Sequence, residues 1–180
     1  MKLSLLTLTL GLLSAAHVLA SDEDQLLQKL RLAKFTLSDA ISYAEKTSGP
    51  ATSAKFEMDG TELVFSVYTA PQGLNVSAEE TALTELAGSA TALPISAKAE
   101  VFADKEHIAR ASTHLTLMQL SPLNLKQVLQ KALTLQAGLA FSVKNPLVRN
   151  HRAVADISVL KADGKIATVT IDLLNGNQIK

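Results

Sequence analysis

The sequence predicts an α+β fold made of two copies of one unit, each a helix packed on an antiparallel β-sheet. The first observation is a repeat: residues 35–49 (FTLSDAISYAEKTSG) recur at 123–138 (LNLKQVLQKALTLQAG), with Leu37 falling on Leu125, 88 residues later. The second is that short runs of alternating apolar and polar residues, separated by turn signals, follow each copy, which is typical of antiparallel strands.

Both copies begin with the same helix-start pattern. Thr36 and Asn124 are residue types whose side-chain oxygen can accept an unpaired backbone N–H at a helix N-terminus. Asp39 and Gln127 follow three residues later, where a polar side chain can reach back to the capping residue. Each helix then runs to a glycine, which can close it in the left-handed conformation. We therefore predict a capped helix at the start of each unit.

The first unit continues with a predicted hairpin. Residues 51–58 and 62–69 flank Asp59-Gly60, a dipeptide that favours a two-residue hairpin turn. In residues 62–69, Leu63, Phe65 and Val67 would face one side of the sheet, and the residues between them would face the other side. The pattern predicts a half-buried antiparallel ribbon.

The rest of the first unit is predicted to contain an insertion at about 71–94. Ser77 to Glu80 has the pattern of a capping box and predicts a short helix over 77–87. Segments 95–102 and 108–120 then predict two further strands. The insertion at 71–94 is either a binding loop or a cover for a sheet edge.

The N-terminus predicts a targeting segment over residues 1–20. Lys2 precedes an apolar run, and small residues lead to a cleavage site between Ala20 and Ser21. The apolar run is about half of the ~20 residues that a membrane span needs, which favours a cleaved signal peptide over an anchor. Export to the periplasm, or secretion, follows from this interpretation.

Three segments follow the predicted signal peptide. An amphipathic helix is predicted within 21–35, either as a docking or membrane-surface helix, or as a helix laid on the domain or a frayed terminus. The first repeat is assigned to 36–120 and the second to 121–180.

The composition of the exported part excludes several function classes. Cleavage removes 20 of 180 residues and one of 17 basic side chains, which leaves 160 residues with 16 basic and 17 acidic side chains. A formal net charge of −1 argues against a general nucleic-acid binder and against a polybasic membrane-surface segment. The chain has no cysteine, so it has neither disulfides nor a lipid-modified cysteine, and its stability must come from the core.

The second unit carries a resemblance to a known family. After its helix come strands at 139–143 and 154–160, a turn at 162–164, and a closing run that ends Ile171-Asp172-x-x-x-Gly176-x-x-Ile179. Together with the Leu-x-x-Ala-Ile-x-x-Ala helix of the first unit, this pattern resembles a PepSY domain. The motif positions are core and turn positions.

The resemblance implies tandem PepSY-like repeats with a cystatin-like or tandem-inhibitor-like sheet that presents a concave face to a partner. PepSY proteins are associated in part with propeptides and inhibitors of secreted peptidases, and in part with bacterial envelope proteins. The family is not known for a catalytic site of its own.

The candidate interaction residues are Tyr68, Arg149, His151 and Arg152. The last three belong to a basic cluster that we expect in the loop between the first two strands of the second unit, where it either grips an acidic partner or forms a solvated turn. Tyr68 is either a contact aromatic or a core residue of its strand. The histidines lack a zinc spacing and no cysteine is present, so no metal, cofactor or catalytic residue is predicted.

These observations predict an exported, non-catalytic binding protein whose partner is an envelope protein, with a peptidase as one candidate. The alternative is a carrier for a small hydrophobic ligand held between helix and sheet, which the Leu- and Ala-rich composition allows. A hydrolase is the third class, but no Gly-x-Ser-x-Gly elbow, phosphate-binding loop or dinucleotide fingerprint supports an enzyme.

Overall fold

Residues 22–179 are described here from a computed structural model, in which helices pack on one large antiparallel sheet. The helices of this part are α1 (Asp22–Leu30), α2 (Leu37–Thr47), α3 (Lys105–Gln119) and α4 (Leu125–Leu135). Its strands are β1 (Ala51–Asp59), β2 (Glu62–Thr69), β3 (Thr84–Ser89), β4 (Lys98–Val101), β5 (Leu139–Arg149), β6 (Arg152–Leu160), β7 (Ile166–Asp172) and β8 (Gln178–Ile179). The predicted α+β class is thereby confirmed.

The strands form a single sheet in the order β4-β3-β2-β1-β5-β6-β7-β8, with antiparallel pairing throughout. α2 is followed by β1, β2 and β3, and α4 is followed by β5, β6 and β7. In each half the first strand, β1 or β5, lies in the middle of the sheet, and the next two strands follow toward one edge or the other. The two halves meet where β1 pairs with β5, and the outer edges are the short strands β4 and β8.

α2 and α4 begin where the sequence predicts, because both capping boxes form. The Gln127 backbone N–H donates to Asn124 Oδ1 at 2.8 Å, and the Asn124 backbone N–H donates to Gln127 Oε1 at 2.9 Å. The hydroxyl and the backbone N–H of Thr36 both donate to the Asp39 carboxylate, which holds the pKa of Asp39 below its ordinary value. Each box satisfies backbone donors that the first helical turn leaves unpaired.

α1, α2 and α4 pack against the main core on one face of the sheet, and Leu117 and Met118 near the end of α3 also join this core. The buried residues of α2 and α4 follow helical spacing and meet strand residues of alternating position, among them Phe56, Phe65 and Val67. Lys126 of α4 donates from Nζ to Ser42 Oγ of α2 at 2.8 Å. The two halves thus share one core, to which each contributes a capped helix.

α3 covers the face of the sheet opposite α2 and α4. The prediction of a strand over 108–120 is therefore wrong, because this segment forms a helix. Asp104 caps this helix, and Ala111 and Leu115 are buried at helical spacing against Tyr68 of β2. The apolar alternation late in this segment was compatible with a strand, but the helix buries apolar residues on its sheet-facing side. The hairpin predicted to be half-buried is consequently covered on both faces around Tyr68.

The helix predicted over 77–87 is also wrong. The Ser77 hydroxyl does donate to Glu80 Oε2 at 3.2 Å, but the box forms an isolated turn. The following residues join the sheet as β3, whose ladder with β2 satisfies their backbone groups. β3 lies inside the predicted insertion at 71–94 and is the third strand of the first half, a place that we assigned to 95–102.

The N-terminal helix α1 ends at Leu30, which is buried in the main core. Farther on, the Lys34 backbone N–H donates to the Ala90 carbonyl at 2.9 Å, so this segment lies on the domain. The predicted cleavage site between Ala20 and Ser21 falls outside the described residues. Within 22–179, no helix combines the length and the apolar character needed to cross a bilayer.

Candidate functional site

The two halves of the sheet are joined by a short ladder between β1 and β5. Its register pairs are Ala54 with Val143 and Lys55 with Ser142, whereas the flanking ladders β1–β2 and β5–β6 each contain eight register pairs. We call this join the seam. Both strands run on beyond these pairs, and clefts open beside them.

A cleft of about 190 Å³ lies at the seam, between α3 and the polar face of the sheet. We call it the hydroxyl cleft because four of its side chains carry hydroxyl groups and three others are basic. Its lining consists of Ser53, Ala54, Lys55, Ser66, Tyr68, Arg110, Ser142, Val143 and Lys144.

Two of the serine hydroxyls are open to a ligand. Ser53 and Ser142 are 6% and 4% exposed, and neither hydroxyl makes a hydrogen bond to another residue of the described part of the chain. Ser66 differs, because its hydroxyl donates to the carboxylate of Glu85. Both hydroxyls line the cleft, so a polar group that enters it can form hydrogen bonds with them.

The charges around the hydroxyl cleft leave a positive edge. Lys55 forms an ion pair with Glu57 on the same strand. Arg110 and Lys144 are exposed, and among residues 22–179 neither has a carboxylate within ion-pair distance. An anionic group entering the cleft would therefore meet two cations that have no carboxylate partner in this part of the chain, although Arg110 also interacts with the Tyr68 hydroxyl.

Tyr68 forms an inner wall of the hydroxyl cleft and is 4% exposed. Its ring packs on Phe102 at 4.7 Å and on His114 at 5.9 Å between ring centroids. Burial, and then the charge of Glu85, raises the pKa of its hydroxyl, which stays a neutral hydrogen-bonding group. The predicted contact residue thus lies beneath α3, with access to a ligand through the cleft.

A second, larger cleft of about 700 Å³ adjoins the first, and we call it the seam chamber. It shares Lys55, Ser142 and Lys144 with the hydroxyl cleft. Its remaining lining comes from the sheet and from α1 and is mixed. Polar groups come from Glu23, Glu57, Ser158 and Thr168, and the apolar members are Leu26, Leu27, Phe56, Met58, Phe141 and Ile166. The two clefts adjoin at the three shared residues, with hydroxyl and basic side chains in the smaller cleft and the apolar side chains concentrated in the larger one.

The repeat explains why this site lies at the seam. Ser53-Ala54-Lys55 of β1 recurs as Ser142-Val143-Lys144 of β5, 89 residues later. Because the strands are antiparallel and Lys55 pairs with Ser142, the two Ser-x-Lys motifs face each other across the seam. One position breaks the symmetry: Glu57 neutralises Lys55, whereas the matching position in β5 is a proline. This signal lies in the strands, beyond the two helix segments on whose alignment the predicted repeat rests.

The predicted basic cluster lies elsewhere, at the tip of the β5–β6 hairpin. Asn150 and His151 form its turn with φ angles of +50° and +62°, as a two-residue hairpin turn requires. Arg149 and Arg152 flank the turn and pair with each other in the ladder. The structure therefore brings together Arg149, His151 and Arg152, but it places Tyr68 in a different site.

Both arginines of the tip are bound to acidic residues of the sheet. Arg149 Nη2 lies 2.5 Å from Asp156 Oδ2, and the Thr170 hydroxyl donates to Asp156 Oδ1 at 2.6 Å. Arg152 Nη1 lies 3.4 Å from Asp172 Oδ2. Asp156 and Asp172 are 9% and 3% exposed, so the arginines neutralise nearly buried carboxylates. Their charge is less available to a partner than that of Lys144.

Two histidines, His107 and His114, lie on α3, the helix that contributes Arg110 to the hydroxyl cleft. His114 is 2% exposed, and its Nδ1 has no hydrogen-bond partner in the described structure. Burial, assisted by the charge of Arg110, lowers the pKa of His114 to about 4. His107 instead lies on the surface, with Nδ1 2.7 Å from Asp104 Oδ2. Over the described residues, no group of three or more His, Asp or Glu side chains is arranged to hold a metal ion.

No protein-family model matches the chain. No curated protein matches it either. Among solved structures, the chain is similar to a protein of Clostridium difficile described as a candidate lipoprotein, with 16% sequence identity and a TM-score of 0.38 over 82% of this chain and 92% of that one.

Proposed function

We propose that this chain is an exported, non-catalytic binding protein of the cell envelope, and that its binding site is the hydroxyl cleft with the adjoining seam chamber. The observation that carries the proposal is the pair of Ser-x-Lys motifs that face each other at the seam. They surround two unpartnered hydroxyls with basic side chains, which suits recognition of a polar or anionic group.

The groups at this site favour binding over catalysis. A nucleophilic serine needs a base within hydrogen-bond reach, and that base needs a partner that orients it. The nearby imidazole, His114, is stacked on Tyr68 and makes no hydrogen bond through Nδ1 in the described part of the chain. Ser66 does contact the carboxylate of Glu85, but its side chain is almost fully buried.

We further propose that the two halves are tandem PepSY-like repeats. The succession of a capped helix and three antiparallel strands in each half supports this assignment. The partner is then expected to be an envelope protein, and a peptidase that this protein restrains is the candidate to which the family resemblance points. Release from the membrane by cleavage between Ala20 and Ser21 is part of the same proposal.

Affinity capture with a matched control tests the partner. The immobilised protein, from residue 21 onward, is exposed to an envelope extract of the source organism, beside Lys144→Glu and Lys165→Glu columns. Lys165 is an exposed turn residue that lines neither cleft, so its variant controls for a general change of charge.

A protein retained by the unaltered chain and by Lys165→Glu, but lost from Lys144→Glu, would support the proposal. If that protein is a peptidase, its hydrolysis of a chromogenic substrate should slow as this chain is added. Retention on all three columns would move the site away from the seam. An empty capture against a mock column would remove the proposal of a protein partner.

A second candidate function is transport of a small hydrophobic ligand, which the seam chamber favours. Its volume of about 700 Å³ falls within the range of ordinary ligand pockets, and six of its lining side chains are apolar. Organic extraction of protein purified from its own envelope, followed by mass spectrometry, should then release a stoichiometric apolar compound. A Phe141→Glu variant should carry none, and an empty extract from the unaltered protein would count against this candidate.

A further inference from the structure

We propose that the ligand of this site carries a carboxylate that binds in the hydroxyl cleft and an attached apolar group that occupies the seam chamber. The inference rests on the proposed binding function and specifies the chemistry of its ligand. The shared residues Ser142 and Lys144 line both clefts, so one molecule can reach the polar and the apolar end at once.

The donors of the hydroxyl cleft suit a carboxylate. Ser53 and Ser142 are each more than nine-tenths buried, and neither hydroxyl has a partner among residues 22–179. A carboxylate is an acceptor with two oxygens, and hydrogen bonds from neutral donors to an ionised acceptor are among the stronger ones in proteins. The exposed Lys144 and Arg110 at the cleft edge add long-range attraction for the same group.

The surrounding acidic groups limit the charge that the cleft can take. Glu57 neutralises Lys55, and Glu85 accepts the Ser66 hydroxyl beside the cleft. Lys144 and Arg110 remain as the cations of the lining without an ion-pair partner in the described residues. A singly charged carboxylate fits this balance better than a doubly charged phosphate, which would lie close to both glutamates.

The seam chamber determines what the carboxylate is attached to. Its apolar side chains come from α1, β1, β5 and β7, and its carboxylates, Glu23 and Glu57, disfavour a second anionic group there. The hydroxyl cleft, at about 190 Å³, is too small to enclose more than a head group, whereas the chamber is of ligand size. The apolar part of the ligand therefore lies in the chamber.

Two sources supply a carboxylate next to an apolar group. One is a fatty acid, and the other is the C-terminus of a peptide whose last residue is apolar. Isothermal titration with the unaltered protein compares decanoate with methyl decanoate and decanol, and compares a short peptide ending in leucine as the free acid with the same peptide as its amide. In each set the apolar part is constant and the carboxylate alone is removed.

The expected result is a carboxylate preference of at least tenfold in Kd in one of the two sets, and that set identifies the source. Lys144→Gln and Ser142→Ala should each weaken binding of the preferred acid by about tenfold or more. Lys55→Gln should weaken it less, because Glu57 already neutralises that lysine. Lys165→Gln, at the exposed turn, should leave the Kd unchanged, and far-UV circular dichroism should show each variant folded.

Equal affinity for acid and uncharged analogue in both sets would overturn the inference, as would decyl phosphate binding more tightly than decanoate. So would an unchanged Kd in Lys144→Gln. These outcomes are separable from failure of the proposed function. A protein partner that depends on Lys144 in the capture experiment can persist when no isolated carboxylate binds, whereas an empty capture together with tight decanoate binding would retain the ligand and remove the protein partner.

Discussion

Mild acid should destabilise this protein through one buried side chain, His114. Burial between α3 and the sheet, with Arg110 one turn away, lowers the pKa of His114 from 6.5 to about 4 in the folded chain. The unfolded chain binds a proton at His114 below pH 6.5, but the folded chain does so only near pH 4. The stability contributed by the neutral imidazole is therefore complete above pH 6.5 and is lost as the pH falls toward 4.

The pKa difference sets the size of the effect. Between about pH 7.5 and pH 5, protonation of His114 in the unfolded chain should lower the free energy of unfolding by about 2 kcal/mol. Hydrogen bonds lower the pKa values of Asp39, Asp104 and Asp163 from 3.8. The stability that these carboxylates contribute to the fold is therefore lost at a pH below this window. Glu45, whose pKa is raised by burial, acts in the opposite sense and is common to all variants.

Urea unfolding at several pH values measures this contribution. His114→Leu removes the titrating group and its unpaired nitrogen, so its free energy of unfolding should change about 2 kcal/mol less than that of the unaltered protein over the window. His151→Asn is the control, because asparagine tolerates the positive φ at that exposed turn. The comparison uses the change with pH, so a uniform loss of stability in His114→Leu does not affect it. Parallel curves for His114→Leu and the unaltered protein would refute the reasoning.

Three further substitutions test local features by the same unfolding assay. Asn124→Ala removes the α4 cap and should cost about 1 kcal/mol; no loss would mean that the capping box does not stabilise the helix. Gly138→Ala places a Cβ 2.5 Å from a carbonyl oxygen and should destabilise at least twice as much as Gly60→Ala, whose Cβ meets nothing within 4 Å. Equal losses would contradict that geometry. Asp156→Ala removes a nearly buried acceptor and should cost about 2 kcal/mol, whereas the exposed Glu79→Ala should change little.

The parts of the fold that sequence reasoning predicted well depend on neighbouring residues. The capping boxes of α2 and α4 involve residues three apart, and the Asp59-Gly60 turn joins adjacent strands. Such signals act over one turn of chain, so the sequence contains them in full. Both helices and the first hairpin accordingly form where they were predicted.

The errors fall where distant contacts decide the outcome. Ser77 and Glu80 form their hydrogen bond, yet the chain leaves the helical path because β2 offers β3 a ladder. In α3, the run from Leu115 onward alternates as a strand would, but Asp104 caps a helix and Tyr68 provides a surface for its apolar side. Propensity and pattern were overridden there by tertiary packing.

The candidate site was missed for a related reason. The predicted cluster at Arg149 to Arg152 is contiguous in sequence and was visible, but those arginines bind carboxylates of their own sheet. The seam site requires Lys55 and Ser142 to lie opposite each other, and they are brought together by pairing between strands from opposite halves of the chain. The repeated Ser-x-Lys spacing was the available signal, and it becomes meaningful once the two strands are known to be neighbours.

The seam also bears on which amides of this sheet exchange with solvent first. In most sheets the central strands exchange last, because long ladders on both sides protect them. Here the centre contains the shortest internal ladder, and the halves are united largely by the side chains of their common core. We expect deuterium to enter β1 and β5 along the sides that face each other sooner than it enters the β1–β2 and β5–β6 ladders. The protein would then open from its middle while its two halves stay folded.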